Sequence, residues 1–457
     1  MLRSVSPQGA VIKIKDAAFP KPFLNQLEYN CPVHEHWNIV HTGMLVPEAH
    51  QIYVCAENCL RGVAMTAAEM GLAHRYSSVA LSQSDVTGGE LEKVTIEGVS
   101  EVIRKLPKRP RAVEVFLVCV HDFVGADERL IYRELERRFP DIDFLRCWMD
   151  PIRQKIHLTP EQKERKSMMS VIVPRPAVPC SVIALGDDLP LAATSDIRVL
   201  LASHGASFRQ WQDAQDYDAY RSLGDGAVYI TRSAFAEYGI KAWSKALGRP
   251  GLYLPPSATF EEINALLTEL LEAVFVAHDA SEGEQAAERA AIGAEVRAFA
   301  AEKQAQIKRI FGALAEQLAG WRVAVDYVGH PRPLGLARFL ISQGIDVRDV
   351  YFDIIYTEEK EDFQWLVSHA PELTLHSTNH IKAQVLPRER APGVLAIGPK
   401  SAYFEDTPYF VNQIENDGNW GYDGLLRLAD RMMQALEAAR EPREVVQKKG
   451  LGMVTVL

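Results

Sequence analysis

Short runs of β-branched and apolar residues, each followed by a stretch of helical pattern, recur along this chain and constrain its fold more than any other feature. A helix between two strands brings the second strand back parallel to the first, so the alternation predicts βαβ units and parallel sheets. The first series has strands at 51–54, 77–81 and 113–120, with helices at 60–70, 94–106 and 128–139. A second follows the proline-rich stretch 173–179, with strands at 181–185, 227–231 and 252–254 and helices at 192–204 and 233–247. Prolines at that density favour an extended connector, which places a domain boundary there. Between 260 and 318 the chain is rich in Ala, Glu, Gln and Leu and reads as two or three long helices. A third series has strands at 322–327, 350–356, 373–375, 394–397 and 409–411, with helices at 334–343, 359–369 and 424–439. The expected organisation is an N-terminal α/β domain (1–172), a middle α/β domain (173–258), a helical connector (259–318), a C-terminal α/β domain (319–440) and a tail (441–457).

Composition narrows the function. With 47% apolar residues, the chain has ample material for several cores, and a net charge of -10 removes the electrostatic term that drives non-specific nucleic-acid binding. No nucleic-acid partner is expected. No apolar run approaches the ~20 residues that span a bilayer, and the start does not read as a secretory signal, so a cytoplasmic protein without a membrane partner is expected. Neither a phosphate-binding loop of the nucleotide-hydrolysing type nor the glycine pattern of a dinucleotide site is present. Thr87-Gly88-Gly89 reads as a tight turn before a helix.

Ligands of open α/β sheets bind at the carboxyl ends of the strands, so the turns after strands are where chemistry is expected. Cys55 and Cys59 follow the run 51–54 and precede a helix, and Cys119 ends the run 113–120. At such turns backbone N–H groups and the helix dipole favour negative charge. In a reducing compartment, loop-placed thiols are more often metal ligands, catalytic groups or buried residues than disulfides, and a soft thiolate is the natural ligand for iron. Cys147 and Cys180 read as buried thiols at strand ends.

Taken in order, Cys31-Pro32, Cys59, Gly88-Gly89-Glu-Leu91, Cys119 with Gly125-Ala-Asp127, the stretch 321–347 and Gly421-Tyr-Asp-Gly424 resemble the nitrogenase component 1 superfamily. The resemblance implies three Rossmann-like α/β/α domains with parallel sheets around a central cavity, paired as a homodimer or as a heterodimer with a second component 1 subunit. It implies an iron-sulfur cluster shared at the subunit interface, 4Fe-4S or a larger variant, fed with electrons by an ATP-hydrolysing iron protein. Carried over by motif, the ligands are Cys31, Cys59 and Cys119, with Cys55 as an alternative ligand or extra thiol. A further ligand would come from the partner chain or from an oxygen donor such as Glu35, Glu57 or Asp122. The sequence departs from nitrogenase where that enzyme holds its large cofactor: the stretch 227–233 has no cysteine and 409–415 no histidine. The chain is therefore expected to resemble the nitrogenase-like reductases, with the substrate open, and not to reduce dinitrogen.

Two histidine groups stand out: His34, His36 and His41 after Cys31, and His376 with His380 after the strand at 373–375. The second pair is the candidate catalytic set, as proton donors to a reduced substrate or as ligands of an additional metallocofactor in the cavity. His157 and His330 occupy loop positions with weaker grounds. Three functions accord with these residues: the catalytic component of a nitrogenase-like oxidoreductase, a non-catalytic scaffold for metallocofactor assembly, and a plain α/β ligand-binding protein with buried cysteines.

Overall fold

The computed structural model describes residues 9–27, 33–34, 37–155, 158–277, 281–386, 390 and 392–442. Strand β1 (Val11–Lys13) and a ribbon of β2 (Val33–His34) with β3 (Trp37–Asn38) precede three larger sheets. The first sheet holds β4 (Ala49–Cys55), β5 (Tyr76–Ala80), β6 (Ala112–Val118) and β7 (Asp143–Met149), in the order β5-β4-β6-β7. The second holds β8 (Ser181–Ala184), β9 (Ser207–Gln210), β10 (Val228–Thr231) and β11 (Gly251–Tyr253), in the order β11-β10-β8-β9. The third adds β12 (Arg322–Asp326), β13 (Val347–Phe352), β14 (Thr374–Ser377), β15 (Val394–Ile397) and β16 (Phe410–Val411), in the order β1-β14-β13-β12-β15-β16. All pairings in the three sheets are parallel except that of β1, which runs antiparallel along the edge of β14. The expected α/β class with parallel sheets is what the chain adopts.

The chain divides into two compact units, one drawn from Tyr29–Pro190 and Gly205–Pro255 and the other from Met1–Glu28, Leu191–His204 and Pro256–Val454. In the first unit β4 and β6 are buried at every position, as befits central parallel strands covered on both faces. One face places Tyr53, Cys55, Phe116 and Cys147 in a core with Met168 and Met169 of the helix Pro160–Ser170 and with Ile183 and Tyr229 of the second sheet. The other buries Ile52, Val54, Val113, Val115 and Leu117 against the helices Leu91–Lys105 and Glu128–Arg138. Strand β7 escaped the sequence reading because it is an edge strand: exposed Arg146 breaks its apolar run. In the second unit the region 260–318 forms two helices, Phe260–Phe275 and Glu282–Gln317. Ser281 caps the second, accepting from the Glu284 N–H at 3.4 Å while the Glu284 carboxylate accepts from the Ser281 N–H at 2.9 Å. Among the described residues no helix is long and apolar enough to cross a membrane.

Each sheet reverses its direction of growth once, between β4 and β6, between β8 and β10, and between β12 and β15. At such a point the connections on either side leave towards opposite faces and open a crevice at the carboxyl ends of the two strands. The middle crevice is closed by a buried ion pair. Asp187, after β8, accepts from the Arg232 backbone N–H at 2.8 Å and from Arg232 Nε at 3.2 Å, just beyond β10.

Candidate functional site

The reversal in the first sheet gathers three of the singled-out thiols. Cys55 is the last residue of β4 and is fully buried, facing the same core as Tyr53 two positions earlier. Cys59 lies in the first turn of the helix Glu57–Glu69 and is exposed. Cys119 opens the short helix Cys119–Phe123 directly after β6 and is half-buried. Burial pushes the Cys55 thiol up to about 12, and charge on Cys59 and Cys119 adds to the shift. Cys119 is also raised, first by burial and then by Asp150 and Cys59. The three thiols therefore sense one another across the crevice.

Cys31 lies outside the described residues, as do Glu35, His36, His157 and the tail from 443 onward. Among the described residues no group of three or more His, Cys, Asp or Glu side chains is arranged to hold a metal ion. The donor chemistry suits iron, since soft sulfur donors sit at two neighbouring strand-to-helix turns, yet the described residues do not close a coordination shell. Cys147 is buried in β7 as expected. Cys180 is not: it is exposed in a left-handed turn (φ 51°) just before β8, because the chain enters the strand from the surface there.

Beside Cys119 is a cavity of about 130 Å³ bounded by Val118, His121, Asp122, Trp148, Asp150 and Arg153, among others. Arg153 forks onto Asp122, with Nε 2.5 Å from Oδ2, and holds that carboxyl low. Asp150 is raised by burial and by its contact with Asp122, so the two carboxyls favour a single negative charge. The Trp148 ring is flanked by Arg153 at 3.6 Å and Lys163 at 3.2 Å. His121 is buried, with Nε2 3.1 Å from Thr95 Oγ1 and Nδ1 accepting from the Val118 N–H at 3.3 Å. It braces the turn.

In the third sheet the candidate histidines sit in separate networks. His376, within β14, stacks on Tyr351 at 4.3 Å and places Nε2 2.8 Å from Asp349 Oδ1. Asp349 is also held by Arg322 at 2.8 Å. His380 is buried, its Nδ1 accepting from the Lys382 N–H at 3.1 Å. His330 is a core histidine that accepts from the Arg332 N–H at 3.2 Å and is pushed down to about 4 by burial. His41 is exposed on the helix Ile39–Gly43.

The reversal between β12 and β15 carries side chains that the sequence reading missed. Lys400 Nζ donates to Tyr327 Oη at 2.5 Å, and Tyr327 Oη donates to Asp353 Oδ2 at 2.8 Å. These residues follow β15, β12 and β13 respectively. Beneath them Asp326 is fully buried and ties the two loops together, accepting from the Gly329 N–H at 2.8 Å, the Ser401 N–H at 2.6 Å and Ser401 Oγ at 2.9 Å. Gly398 is obligatory here: its φ is 113°, and a Cβ would lie 2.2 Å from Asp326. The available signal was positional, a lysine two residues past a strand-ending glycine.

The family model described as Nitrogenase component 1 type Oxidoreductase matches residues 43–437. A solved structure titled "Nitrogenase Cp1 at pH 6.5" is similar over 93% of this chain and 95% of its own, with a TM-score of 0.63 and 12% identity. Another, "Nitrogenase Cp1 at pH 5", is similar over 94% of each chain with a TM-score of 0.56 and 12% identity. At that identity the likeness speaks to the fold. No curated protein sequence matches the chain.

Proposed function

Because the chain belongs to the nitrogenase component 1 type oxidoreductases, we propose that it is the catalytic component of a nitrogenase-like reductase that draws electrons from an ATP-hydrolysing iron protein. The observation that carries this reading is the convergence of Cys59, Cys119 and Cys55 at the reversal point of the first sheet. In this reading Cys31, Cys59 and Cys119 hold an iron-sulfur cluster, 4Fe-4S or a larger variant, completed by a partner subunit, identical or a second component 1 chain. When bound, such a cluster would supply low-potential one-electron storage.

The chain's own residues set the terms. A ligand must be a thiolate, and ionising Cys55 in an apolar core is costly, which supports Cys59 as ligand and Cys55 as a packing thiol. Asp122 is engaged by Arg153, which weighs against it as an oxygen donor. His376 and His380 are the proposed proton donors, and the chain Lys400–Tyr327–Asp353 offers a further route with hydrogen bonds already formed. Dinitrogen is not the proposed substrate: after β10 the chain carries Arg232 paired to Asp187, and the segment around β16 has no histidine.

Anaerobic expression in a host that builds clusters, with iron and sulfide analysis and electron paramagnetic resonance of the reduced protein, tests the reading. Iron with a reduced-cluster signal, and ATP consumption on mixing with an iron protein and substrate, is the expected result. Iron without turnover would favour the assembly scaffold, and a folded, iron-free protein would overturn both. Cys59→Ala should lose iron and Cys55→Ala retain it; the opposite outcome reverses the ligand assignment.

A further inference from the structure

The face of the first sheet that carries Tyr53, Cys55 and Cys147 also buries two carboxyl groups whose hydrogen bonding is incomplete. Glu114, in the middle of β6, is fully buried; its Oε2 accepts from Gln51 Nε2 at 3.0 Å, and its Oε1 has no partner among the described residues. Glu164, on the helix Pro160–Ser170 over that face, is 1% exposed, and neither of its oxygens has a partner among the described residues. The two are close enough to repel each other, and both act on Tyr53 and Cys147. The backbone makes room for them: a Cβ on Gly43 would lie 2.0 Å from Glu114 Oε2 and 2.4 Å from Gln51 Nε2.

The surroundings do not neutralise the pair. Arg75 acts on Glu114, but its guanidinium donates to the carbonyls of Ala49, Met44 and Val46. Arg165 acts on Glu164, yet it forks onto Asp188 and donates to the Gly186 carbonyl. Glu161 and Asp188 add like charge, and His41, from the helix Ile39–Gly43, interacts with Asp188. The remaining ionisable neighbours, Tyr53, Tyr220 and Cys147, are themselves buried and costly to ionise. Two buried carboxylates that repel each other and leave three oxygens unpartnered cannot both stay ionised in such a medium.

We propose that Glu114 and Glu164 form a proton-binding site that keeps one proton between them at neutral pH and exchanges it as the charge at the cysteine crevice changes. Burial pushes Glu114 up to about 7 and Glu164 in the same direction, in keeping with the geometry. Glu114 and Val118, which adjoins Cys119, are four residues apart on β6, or ~13 Å at ~3.3 Å per residue. Across that distance, at an effective dielectric of about 20, an added electron raises the pair's proton affinity about tenfold. By reciprocity the proton raises the midpoint potential at the crevice by about 59 mV. This coupling rests on the proposed function; the shared proton does not.

The experiment uses the full chain as isolated, with carbon-13 in its glutamate carboxyls. Infrared difference spectra at neutral pH, wild type minus Glu164→Gln, should show a protonated-carboxyl band that disappears on raising the pH; other buried glutamates common to both proteins, such as Glu359, cancel. Absence of that difference band, or its disappearance at the same pH in the Glu114→Gln background, overturns the site. Glu164→Asp, which keeps a carboxyl at the site but not the label, serves should a glutamine variant fail to fold. In iron-loaded protein the midpoint potential should depend on pH, and Glu164→Gln should remove that dependence. A pH-independent wild-type potential overturns the coupling. A chain that binds no iron refutes the proposed function and leaves the infrared result standing.

Discussion

Alkylation of the iron-stripped chain should separate the thiols that sequence position leaves side by side. Burial and its thiol neighbours raise Cys55 from the ordinary 9.0 to about 12. Below both values this lowers its thiolate fraction about a thousandfold, and only the thiolate reacts. A more basic thiolate is also a better nucleophile; with a Brønsted slope of about 0.4–0.5 this returns about 16- to 32-fold. Ionisation alone therefore leaves Cys55 about 30- to 60-fold slower than an ordinary thiol. Access slows it further, since the side chain is 0% exposed and the reagent must wait for the junction of β4 and its helix to open. Iodoacetamide labelling followed by peptide-resolved mass spectrometry at mildly alkaline pH should show Cys59 and Cys180 modified first, Cys119 next, and Cys55 at least about 30-fold behind Cys59. Labelling of Cys55 within threefold of Cys59 would refute the assignment of Cys55 to the core and reopen the choice of ligand.

Glu114 has its folded-state value raised to about 7 from an ordinary 4.5, so between these values the folded chain binds more protons than the unfolded one. Its contribution to stability is therefore lost as pH rises through that window, by about 3 kcal/mol in all; denaturation of wild type and Glu114→Gln at pH 5 and pH 8 should show this extra loss in the wild type only. Arg232→Ala leaves Asp187 buried and unpaired in the second sheet and should cost about 3–5 kcal/mol, read by hydrogen exchange in β8 and β10. Asp326→Asn keeps the shape but turns an amide N–H towards one of the backbone donors it now binds, at a cost of about 2–3 kcal/mol to the third sheet, read in the same way. Lys400→Met should leave iron content unchanged and lower substrate-dependent ATP consumption at least about tenfold, whereas unchanged turnover would remove Lys400 from the proton route.

Much of the fold was legible because central parallel strands such as β4 and β6 are covered on both faces and read as unbroken apolar runs. Edge strands were not: β7 carries exposed Arg146, and the three residues of β1 pair with β14 more than 350 positions away. The thiol site was legible in part. Cys55, Cys59 and Cys119 each fall beside a strand end, but which of them faces the core depends on strand parity and on what packs over it. The lysine-tyrosine-aspartate chain at the third sheet's reversal left only a faint trace, since its members come from three separate loops.

The local alternation of strand and helix is carried by the sequence, because it depends on periodicity over a few residues, and so is the placement of cysteines at strand ends. The order in which strands pair is not a local property, and it is that order which puts the reversals between β4 and β6 and between β12 and β15. Tertiary packing alone buries Cys55, leaves Cys59 exposed and encloses Glu114 and Glu164 without full partners. The physical reason is that burial and electrostatic environment are set by neighbours distant in the chain. A cysteine or a glutamate has the same chemistry wherever it is written; only its surroundings decide whether it can carry charge.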